Sequence, residues 1–160
     1  MRDQRMGENL VWLANERYKN RRIIVWAAAF HTLHEPSAIK LGPDAGFRYE
    51  GVITMGQVAG KSLNNAIYTI GFTAHEGEDG WKGLGASPIP AASDGSIEGQ
   101  LKKSGHAYAF LDLRKARGPM RHAQVMRVPK FDEVEIADPT RPYSGLFFIA
   151  RMERGTLIQG

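Results

Sequence analysis

The chain contains no cysteine. That excludes disulfides, thiolate metal sites and a cysteine nucleophile, and it fits a reducing compartment without requiring one. Long hydrophobic runs are missing as well: none approaches the roughly 20 residues of a membrane-spanning helix. The N-terminus, Met-Arg-Asp-Gln-Arg, has no signal-peptide core. A cytoplasmic location without membrane attachment is therefore expected. Neither sign of charge dominates, and the net charge is +4. Basic residues gather between 114 and 130 (Arg114, Lys115, Arg117, Arg121, Arg127, Lys130). They lack the interleaved aromatics and reading motif of a nucleic-acid module, so a solvated loop or an anion-binding stretch is expected there, and no nucleic-acid partner.

What remains is ordinary globular material. Of 160 residues, 42% are hydrophobic and 24% charged, which argues against disorder. One domain spanning 1–160 is the expectation for this length. Residues 3–19 read as a helix with Met6, Leu10 and Leu13 on one stripe and Asp3 at its start. Residues 54–64 read as a second helix capped by Thr54, and 95–104 as a short third. Apolar runs at 22–29, 66–74, 107–113 and 145–152 read as strands, with shorter ones at 125–128 and 134–136. Unbroken apolar character suggests strands buried on both faces. Together with the strand–helix alternation, this predicts an α/β fold with a mostly parallel sheet flanked by helices. The core strands would be 23–27, 67–72, 108–113 and 146–149.

Several motifs carry no chemistry. Gly56-x-x-x-Gly60-Lys61-Ser62 has three residues between its glycines where a phosphate loop needs four. No Gly-x-Ser-x-Gly nucleophile elbow occurs. His75, Glu76, Glu78 and Asp79, with His31 and His34, include metal-ligating types. No helical zinc signature joins them, and a charged loop is the simpler reading, with no metal and no cofactor. Asp112 would be a buried carboxylate paired with Arg114, or a support to a site. His31 follows the first apolar run, where a strand-end histidine can act as general base or simply occupy a loop. Arg5, Glu8, Asn9 and Trp12 share one helix face.

Several landmarks recur in order: Arg2-Asp3-x-x-Met6-x-x-Asn9-Leu10, Trp26-Ala27 closing on His31, Met55-Gly56, Gly71-Phe72-Thr73 with Glu76-Gly77, the 110–114 run and Ser144-Gly145 with the apolar residues after it. In this pattern the chain resembles the C-terminal part of the erythromycin esterase family, whose members include proteins labelled succinoglycan biosynthesis. The resemblance implies a hydrolase in which a histidine, assisted by a glutamate, activates water against a macrolide lactone or other ester, and hence a link to macrolide resistance. It implies His31 as base or orienting group, Glu76 as support, and Arg2, Asp3, Glu8 and Asn9 as substrate-binding residues. Ala28 and Ala29 stand where the family usually has a histidine and an asparagine. The family's key histidine and glutamate lie in its N-terminal half, which would precede Met1. The expectation is a fragment of a larger two-part protein, weak or inactive alone, with an uncovered apolar face open to self-association. The alternative is a degenerate, non-catalytic α/β domain that binds a small ligand or a protein partner. A truncated gene product, a cloned domain and a diverged relative remain equally open.

Overall fold

The computed structural model describes residues 2–41, 47–81, 85–127 and 133–156. Helix α1 (Arg2–Trp12) runs on through a π-helical turn at Leu13–Arg17. After α2 (Ala29–Thr32) and α3 (Met55–Leu63) come strands β1 (Ile70–Gly80) and β2 (Ala86–Ile89), then α4 (Ile97–Lys103). Strands β3 (Tyr108–Asp112), β4 (Gln124–Arg127), β5 (Glu133–Ile136) and β6 (Gly145–Met152) complete the described elements.

Mixed α/β architecture holds, but the sheet is not mostly parallel. Its order is β2-β1-β6-β3; β1 and β6 pair in parallel, whereas β1–β2 and β3–β6 are antiparallel. A separate antiparallel pair joins β4 and β5. The physical reason lies in the sheet faces. Ile70 and Phe72 on β1, and Tyr108 and Phe110 on β3, are large apolar residues on an uncovered face. An apolar run therefore does not certify burial on both sides, and cannot identify parallel pairing. The covered face packs Leu146 and Phe148 inward, with Leu33, Ile39, Ile97, Leu113, Met126 and Ile136 also buried.

The expected strand at 23–27 is not in the sheet. Residues 22–28 have no strand partner among the described residues, and Ile24 and Trp26 are almost fully exposed. The second expected strand begins at Ile70, not 66, and extends to Gly80, through residues expected to be loop. The 107–113 and 145–152 strands form as read, as do the two short strands, although residue 128 lies outside the described residues.

Two glycines set the helix packing. A Cβ on Gly7 would sit 2.5 Å from Val58 Cβ, so Gly7 lets α1 lie close on α3. One on Gly56 would strike the Thr32 carbonyl, so α3 presses directly on α2. Thr54 caps α3 by accepting from Gln57 N at 3.1 Å, and its hydroxyl donates to Leu33 O at 2.5 Å. That one side chain satisfies a helix-end donor and pins the residue that follows α2.

Candidate active site

The packing of α1, α2 and α3 brings His31 to the N-terminus of α1. His31 Nδ1 lies 2.7 Å from Asp3 Oδ2, and Arg2 Nη2 lies 3.2 Å from His31 Nε2. Arginine can only donate, so Nε2 accepts, and the ring proton resides on Nδ1, which donates to Asp3. Asp3 and His31 are largely buried, whereas Arg2 is mostly exposed. A neutral imidazole held by a carboxylate, with its other nitrogen under a movable guanidinium, is the arrangement a general base needs. Asp3 also sits in the first turn of α1, where a carboxylate is favoured by the helix dipole.

The remaining expected site residues do not converge on this pair. Glu8 accepts from Arg5 at 2.9 Å and from Gln4 at 3.0 Å, and Asn9 is exposed on α1. Glu76 faces Lys102 at 3.6 Å and Arg151 at 3.8 Å, and makes no described contact with His31. Ala28 and Ala29, at the start of α2, bring no polar group. Asp112 pairs with Tyr68 Oη (2.8 Å) and Lys115 (3.3 Å) rather than Arg114, and the Tyr68 hydrogen bond holds its carboxyl below the usual range. Arg114 stacks over the Tyr68 ring at 4.7 Å and donates to Ile67 O. Of the basic run, Arg127 is buried, Arg121 pairs with Asp138, and residues 128–130 lie outside the described residues. Among the described residues, no three His, Asp or Glu side chains converge as metal ligands would, and no helix is long and apolar enough to cross a membrane.

Two features were not anticipated from the sequence. His34 Nε2 meets Thr69 Oγ1 at 2.5 Å on the wall of a cleft of about 510 Å³ that Lys61 and Arg114 also line. Burial, reinforced by Arg114, lowers the His34 pKa, so this imidazole is neutral near pH 7. The other feature is buried behind the sheet. Glu98 accepts from Thr73 Oγ1 at 2.7 Å and from Arg127 N at 3.1 Å, while its Oε2 has no hydrogen-bond partner among the described residues. Burial raises the Glu98 pKa despite those bonds. The signal for it was faint: an acid in the first turn of a helix reads as a surface residue, and only the fold turns it inward.

A family profile described as "Erythromycin esterase" matches residues 1–149. The protein of Bacillus subtilis (strain 168) named "Putative hydrolase YbfO" is 28% identical over 122 residues, which is 71% of this chain and 25% of that protein. A crystal structure of a Bacillus cereus protein superposes with a TM-score of 0.69 at 18% identity, covering 98% of this chain and 39% of that one. A crystal structure of a succinoglycan biosynthesis protein superposes with a TM-score of 0.52 at 20% identity, covering 63% of this chain and 28% of that one. These superpositions establish a shared fold, and the chain spans well under half the length of each relative. The profile match extends from the Arg2-Asp3 pair through most of β6, so the chain belongs to the erythromycin esterase family.

Proposed function

We propose that this chain is the C-terminal portion of an erythromycin-esterase-like hydrolase, with Asp3 and His31 as one half of its catalytic cleft. The observation that carries the reading is the 2.7 Å contact between His31 Nδ1 and Asp3, with Arg2 over Nε2. When a substrate draws Arg2 aside, the Nε2 lone pair becomes free to take a proton from water. The water oxygen then attacks the ester carbonyl, the carbonyl π electrons move onto its oxygen, and the guanidinium is placed to donate to that oxyanion. Collapse of the adduct expels the alkoxide, which takes the proton back from the imidazolium. Asp3 fixes the tautomer and steadies the transient imidazolium, as a positioning carboxylate does. A macrolide lactone or another ester of a small molecule is the substrate class.

The same geometry explains why the isolated chain should turn over little. Ala28 and Ala29 supply no second base or donor, and Glu76 is engaged elsewhere. General-base catalysis contributes about 10²–10⁴-fold only when base and reacting carbonyl are both positioned. The test is mass spectrometry of erythromycin incubated with the purified chain, and with a chimera that places the preceding portion of the Bacillus cereus relative before Arg2. Little or no hydrated product from the chain, and His31-dependent product from the chimera, are expected. Robust turnover by the chain alone would overturn the half-site reading. A chimera whose turnover survives His31→Ala would overturn the assignment of His31.

A further inference from the structure

The cleft beside His34 is walled by the turn after α2, one face of α3, the turn after β3 and the residues that lead into β6. It is not the Asp3–His31 site. Val58 packs on Gly7 of α1, whereas Gln57, Gly60 and Lys61 face the cleft at three- and four-residue spacing, so the two sites meet different faces of α3. Ile67 is the one apolar side chain among the described lining residues, and an apolar molecule would bury little surface there. Ser37, Thr140 and Ser144 carry hydroxyls, and Gln57 and Asn64 carry amides, all able to donate. Ser144 is only 4% exposed, so it belongs to a fixed wall rather than a loose rim.

The charge of the cleft is unbalanced. Its one carboxylate among the described lining residues, Glu35, is held by Arg141, whose Nε donates to Oε2 at 2.7 Å. Lys61 and Arg114 have no carboxylate partner among the described residues. Arg114 is already fixed in place: it stacks over Tyr68 and donates one N–H to Ile67 O, which leaves further N–H groups for a ligand. Burial, with Arg114 beside it, lowers the His34 pKa, so the imidazole adds no third charge.

We propose that this cleft binds a small phosphorylated molecule, with Lys61 and Arg114 on its phosphate group and the hydroxyl and amide side chains around the rest. A phosphate monoester carries about −1.5 to −2 charges at neutral pH, which matches two cations on different walls, whereas a carboxylate carries one. A guanidinium held in one orientation suits phosphate oxygens through paired N–H donors. The volume, about 510 Å³, is that of a small-molecule site. The walls, both cations and the hydroxyls all belong to this chain, so the charge pattern does not depend on the additional length of its relatives. One acidic side chain from that additional length would balance only one of the two cations. Arg114 thereby gives a place to the anion-binding role expected of the basic run it begins. The site stands independently of whether His31 hydrolyses anything.

Nuclear magnetic resonance at fixed ionic strength tests it, with inorganic phosphate, glycerophosphate, acetate and glycerol added in turn. Saturable shifts at the amides of Gly60, Lys61, Arg114 and Ser144 are expected with the two phosphates, and tighter binding of glycerophosphate, whose hydroxyls meet the polar walls. Lys61→Gln and Arg114→Gln should each weaken binding about tenfold or more, as loss of a hydrogen bond from a charged group does. Glu35→Gln removes the negative charge of the cleft and should tighten binding, which a damaged fold would not do. The absence of a saturable shift, binding unchanged by Lys61→Gln, or acetate binding as tightly as phosphate would each overturn the proposal. Equal binding of the two phosphates would overturn the phosphorylated molecule in favour of the free ion. Loss of phosphate binding in the chimera that carries the preceding portion of the Bacillus cereus relative would give the cleft to the rest of the fold, and would overturn the proposal as well.

Discussion

Residues 23–26 and 146–149 are both runs of four large apolar side chains. The second is the heart of the molecule: β6 lies between β1 and β3, and Leu146 and Phe148 are fully buried. The first lies on the surface, its backbone unpaired among the described residues. The difference is not composition but what stands on either side. Residues 146–149 have a parallel neighbour at Gly71–Ala74 and an antiparallel one at Tyr108–Leu111. Residues 23–26 have helix α1 before them and a short α2 after, and no described strand lies within hydrogen-bond reach. Apolar character records a demand for burial; it does not say which polypeptide meets it.

The largest effect that sharpens this contrast is at Phe148. It is fully buried on β6, so Phe148→Ala should cost about 3–5 kcal/mol in chemical denaturation. A loss below about 1 kcal/mol would mean that the β6 core is no better packed than the open strand.

Next in size is Gly56, which holds the site-bearing helices together. Gly56→Ala would force α3 away from the Thr32 carbonyl, one residue beyond His31. An overpacked contact of this kind typically costs about 1–3 kcal/mol. Nuclear magnetic resonance of the His31 ring should report loss of the Nδ1–H hydrogen bond to Asp3. A variant with unchanged stability and an unchanged ring signal would show that the helical side tolerates separation and that the close approach does not position His31.

Local signals carried much of this fold. Thr54 is an N-cap that the sequence advertises, and α3 starts directly after it. The Arg2-Asp3 pair and His31 were legible through the family pattern, and they do meet. What could not be read was long-range. Hydrophobic runs fix neither partner nor direction, so the sheet's antiparallel pairs and the isolation of residues 22–28 were invisible. Glu76 follows β1's buried face by one residue, and its pairing with Lys102 and Arg151 depends on where α4 and β6 lie. Glu98 and His34 escaped for the same reason: burial by distant segments changes their chemistry, not their local sequence.

Buried Glu98 and half-buried His34 give a smaller, pH-dependent effect with opposite signs. The His34 pKa falls below 6.5 on folding, so its contribution is complete above pH 6.5 and is lost as pH falls through the folded value. The Glu98 pKa rises above 4.5, so its contribution is complete below pH 4.5 and is lost as pH rises through the folded value. Urea midpoints measured between pH 4.5 and pH 6.5, the unperturbed values from which the two groups shift toward each other, should therefore separate the variants. Relative to the unaltered chain, His34→Gln should lose less stability on acidification, and Glu98→Gln should gain most at the alkaline end. Parallel pH curves for all three proteins would remove both groups as sites whose titration is linked to folding.

The smallest expected change is at Trp26, and it probes the comparison most directly. Its ring touches Phe72 at 5.7 Å but is 85% exposed, so within one copy it buries little. Trp26→Ser, studied at a concentration low enough to keep the chain monomeric, should shift unfolding by no more than about 0.5 kcal/mol, as surface substitutions usually do. A loss above about 1 kcal/mol would mean that residues 23–26 already support the fold they belong to, and would erase their difference from 146–149.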